Sequence, residues 1–213
     1  MHEIDLKTWP RAEHFRMYSA FDQPHFSMCA NLDVANLISF LKLHQISFTI
    51  GMAYVLSKTA NAIPEFRTRI RGDRVVKHDV VHPSMTLLMP DETFSFCTLP
   101  YEDDFASFAR LAVEIMEHTR QTPSIEDEPG QDDLLFLTSI PWVSFTSFMH
   151  PVHLDPPDSF PRFAWGKWFD DDGARKMPLS VQVHHALMDG LHVGRFYQAL
   201  QTLLDQPEVL FSG

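Results

Sequence analysis

One segment near the C-terminus, "KMPLSVQVHHALMDGLHVGRFYQALQTLL" (176–204), leaves little freedom in how it folds. Its first half reads as a strand that stops at His184 and His185. Asp189 is a residue type that caps helices, and beyond it Val193, Phe196, Leu200, Leu203 and Leu204 recur at helical spacing, so the second half is a helix with one face turned inward. Two adjacent histidines at that junction sit on an element that is rigid on one side and open on the other. The placement suits a general base, which must be held still yet reach a substrate, and histidine ionises close to working pH. Two plainer readings stay open from this pattern: Asp189 as a simple helix cap, and each histidine as a satisfied core or surface residue. A metal site from His184, His185, Asp189 and His192 is disfavoured, because adjacent strand residues point to opposite faces and no His-x-Glu or cysteine pattern accompanies them.

Upstream, the periodicity alternates between helix and strand. Thr8 and Pro10 open a predicted helix through "WPRAEHFRMYSAF", and Phe26–Leu32 alternates like a strand. Asp33 is expected to cap a helix with Val34, Leu37, Ile38 and Leu41 on one face, and Ser47 a more apolar helix ending before Pro64. From Glu65 to Pro100, "EFRTRI", "RVVKHDVV", "SMTLLM" and "TFSFCTL" read as antiparallel strands with a turn at Gly72-Asp73. Asp103 and Asp104 introduce a helix with Phe105, Phe108, Leu111, Ala112 and Ile115 at helical spacing, and "QTPSIEDEPGQDD" is a surface loop. "LLFLTSIPWVSF" is a buried strand running into a turn at Pro141, and "HPVHLDPPDSFP" is a proline-rich loop. "RFAWGKWF", a "DDDG" turn and "KMPLSVQVHH" form a hairpin. Without a repeat or a linker, residues 1–213 are expected to form one α/β domain, a mixed β-sheet flanked by helices.

Composition narrows the function classes. With 45% hydrophobic residues, 213 residues can bury a substantial core. No apolar run approaches the length of a membrane span, and "MHEIDLKTWP" lacks the apolar stretch of a secretion signal, so no membrane contact and a cytoplasmic location are expected. A net charge of −11 repels a nucleic-acid backbone, so no nucleic-acid partner is expected. Cys29 and Cys97, far apart on strand-like segments, are expected to be buried free thiols.

"VQVHHALMDGLH" resembles the histidine signature of the chloramphenicol acetyltransferases, a strand followed by His-His-x-x-x-Asp-Gly, which recurs more loosely in the wider class of CoA-dependent acyltransferases. The likeness extends in order and spacing to "TWPRAEHFRMY", "HFSMCANLD", "DETFSFCTLPY", "TSIPWVSFTSF" and "MPLSVQVHH", nearly the whole chain. It implies the CoA-dependent acyltransferase fold and O-acetylation of chloramphenicol, an antibiotic inactivation, with acetyl-CoA as co-substrate, no metal, and no acyl-enzyme. His185 would be the general base, His184 a structural residue, and Thr138 the hydroxyl donor to the oxyanion, where the family has a serine. Asp189 would pair with Arg11 and brace the loop that carries His185, with Gly190 allowing a tight turn and close packing at the helix entrance.

The resemblance also implies an acceptor pocket walled by Tyr18, Phe26 and Phe94, and CoA contacts from Lys167 and Trp168. It implies a homotrimer with active sites at the subunit interfaces, where His185 of one subunit faces a pocket whose walls, Phe26 among them, come from its neighbour. Met17, Ala164 and Leu191 depart from the family pattern around the acceptor, and Ser47 and Thr49 stand where family members offer a lysine and a tyrosine to CoA. Two other functions stay open to such a chain: a related acyltransferase with another hydroxyl or thiol acceptor, and a non-catalytic small-molecule binder on the same fold. A binder has no reason to keep a base, a hydroxyl donor and a bracing pair together.

Overall fold

The computed structural model describes residues 1–126, 128–156 and 158–211. In chain order its elements are β1 (His2–Glu3), α1 (Ala12–Ser19), β2 (His25–Asp33), α2 (Ala35–Leu43), α3 (Phe48–Ala62), β3 (Thr68–Arg71), β4 (Arg74–Lys77), β5 (His82–Leu88), β6 (Phe94–Thr98), α4 (Phe105–Gln121), β7 (Leu134–Ile140), β8 (Arg162–Gly166), β9 (Phe169–Asp171), β10 (Ala174–His184), α5 (Gly190–Asp205) and α6 (Pro207–Phe211). The large sheet runs β2-β10-β8-β7-β5-β6, with β9 beside β10; β1, β4 and β3 form a small separate sheet. Pairing is mixed, since β5 and β8 both lie parallel to β7 while β2, β8 and β9 are antiparallel to β10. The result is a mixed α/β domain, a sheet flanked by helices, as the sequence predicts.

Strand alternation divides the large sheet into two unlike faces. Met177, Leu179, Val181 and Val183 of β10, Leu135 and Leu137 of β7, Phe163 and Trp165 of β8, and Met85 and Leu87 of β5 join the helices in one buried cluster. α3 is buried almost all round, and its Ser57 and Thr59 hydroxyls donate back to the Ala53 and Val55 carbonyls at 2.7 and 2.8 Å, so they add no unpaired polar group. The alternate residues, Ser84, Phe136, Thr138, Arg162, Ala164, Ser180 and Gln182, line the opposite face. That face is covered by the loop between β7 and β8, whose Phe148 carbonyl accepts from Ser27 Oγ (3.0 Å) and Ser180 Oγ (2.8 Å).

Several local expectations are corrected. The first half of "EFRTRI" is a 3-10 turn, Pro64–Arg67, because Pro64 suits the first position of a helical turn and Thr68 Oγ1 donates to the Glu65 carbonyl behind it. The strands of the 65–100 region do not form one antiparallel set: β3 and β4 leave for the small sheet, and β5 pairs parallel with β7. Asp33 accepts from Ala35 N–H at 3.0 Å while Val34 takes the cap position of α2, and the Ser47 side chain makes no cap bond to α3. Cys97 is buried, but Cys29 is only half-buried because β2 is an edge strand of its sheet. Gly190 is not required for a positive φ or a close approach, since a Cβ there meets open space.

Gly166, at the end of β8, does need to be glycine. A Cβ there would lie 2.8 Å from Pro178 Cγ and 2.9 Å from the Val143 carbonyl oxygen, which is itself held by Lys167 N–H at 2.9 Å. Gly166→Ala is expected to destabilise the protein by about 1–3 kcal/mol, and Gly194→Ala, mid-helix in open space, to stabilise it by about 0.5–1 kcal/mol. Thermal melts of the two variants check the opposite signs.

Candidate active site

His185 follows the last residue of β10 and is fixed on several sides. Its backbone N–H donates to the Pro24 carbonyl at 2.7 Å. Its ring stacks on Tyr18 (3.9 Å between centroids, 8° between planes) and lies 4.6 Å from the Phe26 ring. Nδ1 is 3.2 Å from the Met188 carbonyl oxygen, which can only accept, so in the neutral ring Nδ1 carries the proton and Nε2 keeps the free lone pair. His184 is buried on the other side of the strand, with Nδ1 accepting from Ala186 N–H at 3.2 Å. Burial, with the neighbouring His25, lowers its pKa to about 4, so it stays neutral.

The turn after His185 is clamped by one side chain from the N-terminal segment. Arg11, just before α1, donates from Nη2 to the His185 carbonyl (2.7 Å), from Nε to the Ala186 carbonyl (3.1 Å) and from Nη1 to Asp189 Oδ2 (2.8 Å). The other carboxylate oxygen, Oδ1, accepts from Leu191 N–H at 3.1 Å, and His192 Nδ1 accepts from Asp189 N–H at 3.1 Å, a reciprocal cap on α5. Asp189 thus caps the helix and meets Arg11 at once. Burial opposes its ionisation, but the Arg11 hydrogen bond, with His192 and the cap, outweighs that and holds the carboxyl below its usual range.

Thr138 stands elsewhere, on the face of β7 away from the helices. It lines two cavities, one of about 550 Å³ and one of about 460 Å³, which also share Met85, Thr86 and Phe94. Both volumes suit a small-molecule site, and Thr138 is at their junction. Its Oγ1 is 3.3 Å from Nε2 of His150, a residue that the sequence places in nothing more than a loop. Gln182, buried on β10, supports that loop; in the sequence a polar amide between Val181 and Val183 is its only signal.

The two halves do not meet within one chain. Thr138 is opposite Ala164, and Ala164 opposite Ser180, so Thr138 is two strands from β10 and His185 is five residues further along it. At about 3.3 Å per residue and about 4.8 Å per strand, the backbones are roughly 19 Å apart, more than the two side chains can bridge. Among the described residues, His185 lines neither cavity. Of the residues expected as acceptor walls, Tyr18 and Phe26 lie against His185, and Phe94 lies with Thr138. The expectation that Phe26 reaches His185 from a neighbouring subunit is therefore corrected: Phe26 is on β2, and β2 is the strand paired with β10 in the same chain. Ala164 is fully buried, and Leu191 and Met17 are exposed near the His185 half. Thr49 lines the smaller cavity. Lys167 and Trp168 sit exposed between β8 and β9, with the Arg175 guanidinium 5.0 Å over the Trp168 ring. Among the described residues, no group of three or more His, Cys, Asp or Glu side chains is arranged to hold a metal ion.

Comparison with known proteins bears on what such an arrangement does. Residues 1–201 match the family model described as chloramphenicol acetyltransferase. A chloramphenicol acetyltransferase of Streptomyces acrimycini is 34% identical over 208 residues, covering 96% of this chain and 94% of that protein. One of Bacillus pumilus is 32% identical over 205 residues, covering 95% and 93%. A solved chloramphenicol acetyltransferase superposes with a TM-score of 0.84 at 26% identity, covering 95% of this chain and all of that one. The order of elements, the histidine junction and these full-length matches agree, and the chain belongs to the chloramphenicol acetyltransferase family.

Proposed function

We infer that this protein transfers the acetyl group of acetyl-CoA to a hydroxyl of chloramphenicol, with residues 1–213 acting as one catalytic domain in the cytoplasm. The observation that carries the chemistry is the state of His185: a ring stacked on Tyr18 whose Nδ1 is engaged by Met188, leaving Nε2 as a fixed base. Nε2 takes the proton of the acceptor hydroxyl as its oxygen attacks the thioester carbonyl. The oxyanion that forms accepts a hydrogen bond from Thr138, and this interaction strengthens only as charge develops on that oxygen. Collapse breaks the carbon–sulfur bond, and the proton held by His185 passes to the departing thiolate. Neither cysteine takes part.

The reading requires two copies. A homotrimer would set the His185 half of one subunit, with its Tyr18 and Phe26, against the Thr138 half of the next, with its Phe94; the roughly 19 Å separation within one chain supports this. In a closed ring each contact joins two unlike surfaces. Exposed Met17 and Phe21 flank the first half, and exposed Trp142 flanks the second. The β2 edge, with exposed Met28, adds a third apolar element. Lys167 and Trp168 would receive the phosphate and adenine ends of CoA, by charge and by stacking. No described helix is long and apolar enough to cross a membrane.

Purified protein is expected to release CoA thiol from acetyl-CoA only when chloramphenicol is present. Release without it, or none with it from folded protein, points to a different acceptor or to none. His185→Ala should lower turnover roughly 100- to 10,000-fold with the melting temperature little changed, whereas His184→Ala should act mainly on stability. Equal turnover losses in two equally stable variants would remove His185 from the role of base. Arg11→Ala and Asp189→Ala should each cost on the order of 100-fold in kcat/KM by misplacing the base, and the double variant should be little worse than either. Additive losses would mean that the two side chains act separately.

A further inference from the structure

A second histidine contacts the proposed oxyanion donor. His150 lies in the loop between β7 and β8, and its Nε2 is 3.3 Å from Thr138 Oγ1. The loop is fastened at this point through its backbone. Buried Gln182 accepts from His150 N–H at 2.6 Å and donates to the His150 carbonyl at 3.3 Å, while Ser27 and Ser180 hold the Phe148 carbonyl two residues earlier. The ring lies edge-on to Phe148, 4.8 Å between centroids and 76° between planes. His150 is placed by the same sheet that places Thr138.

The direction of this hydrogen bond decides what Thr138 can do. If Thr138 donated to His150, its only hydrogen would be spent there. Burial, reinforced by the Arg162 charge and only partly offset by Gln182, lowers the His150 pKa to about 4, so the ring is neutral near pH 7 and carries one N–H. Among the described residues, Nδ1 is shut off from solvent without a partner. A buried N–H without a partner is rarer than an under-used acceptor, so the proton belongs on Nε2, where Thr138 Oγ1 can accept it.

We propose that His150 is a positioning residue for the acetyl transfer: its Nε2–H holds the Thr138 hydroxyl oxygen so that the Thr138 hydrogen is turned into the cavity, toward the oxyanion. This rests on the reading of Thr138 as the oxyanion donor. A threonine hydroxyl otherwise rotates, and a donor already aimed costs no reorganisation as the charge develops. The single N–H of a neutral imidazole fixes the hydroxyl without setting a rival positive charge beside it.

The test is a double-variant cycle at Thr138 and His150, with kcat and KM for chloramphenicol and for acetyl-CoA measured beside thermal melts. Thr138→Ala is expected to lower kcat roughly 100- to 1,000-fold, and His150→Leu roughly 10- to 100-fold with both KM values within about twofold. His150→Gln, which keeps a donor, should recover most of the kcat. In the Thr138→Ala background His150→Leu should cost nothing further. Should His150→Leu fail to fold, His150→Met, of similar volume, takes its place in the cycle. If Thr138→Ala loses activity but the His150 effect persists in full on top of it, or if the Gln variant is as poor as the Leu variant, His150 does not act through Thr138 and the proposal falls alone. If Thr138→Ala retains full turnover, the donor reading falls and takes the proposal with it.

Discussion

The guanidinium of Arg11 ties the start of the chain to the turn after β10. Three of its N–H groups reach the carbonyls of His185 and Ala186 and the carboxylate of Asp189, so one side chain fixes both the backbone of the candidate base and the first turn of α5. An ion pair of this kind is weak evidence for stability, because removing two charges from water offsets most of their attraction. Its value is positional. α1 is held against the histidine junction, which brings Tyr18 flat against the His185 ring, and the Met188 carbonyl beyond the same turn selects the tautomer.

The second half of the site depends on the large sheet having two unlike faces. One face is a continuous apolar core under the helices. The other carries Ser27, Ser180 and Gln182, which fasten a long loop through its backbone, and that loop delivers His150 to Thr138 beside a cavity of about 550 Å³. β10 serves both halves: its end presents His185, and its middle anchors the loop over Thr138. The roughly 19 Å between the two halves within one chain fits the proposed ring, in which unlike surfaces of neighbouring subunits would meet.

Much of this was legible in the sequence because it is written in local pattern. The strand, the cap at Asp189 and the amphipathic α5 follow from residues 176–204, and α4 begins where Asp104 accepts from Ser107 N–H. The motif likeness pointed to Thr138 and to the Arg11–Asp189 contact, which no periodicity reveals across 178 positions. What was not legible depends on register and on loop path. The parallel pairing of β5, β7 and β8 is a property of crossovers rather than of any strand. The motifs alone do not place Phe26 on the His185 half; only the β2–β10 register shows that it lies beside His185. His150, in a run that reads simply as a proline-rich loop, acquires its neighbour from Gln182, thirty-two positions later.

In the proposed assembly one active site takes its His185 half from one chain and its Thr138 half from another, and mixing inactive subunits distinguishes this from a site within one chain. His185→Ala and Thr138→Ala chains, each nearly inactive alone, are dissociated together, reassembled, and confirmed to be mixed by mass. Random assembly in a closed ring leaves about a quarter of the interfaces with both residues intact, so chloramphenicol-dependent thiol release should return to about a quarter of the wild-type rate. If mixed assemblies stay as inactive as their parents, base and donor belong to a single chain, and no active site is shared between subunits.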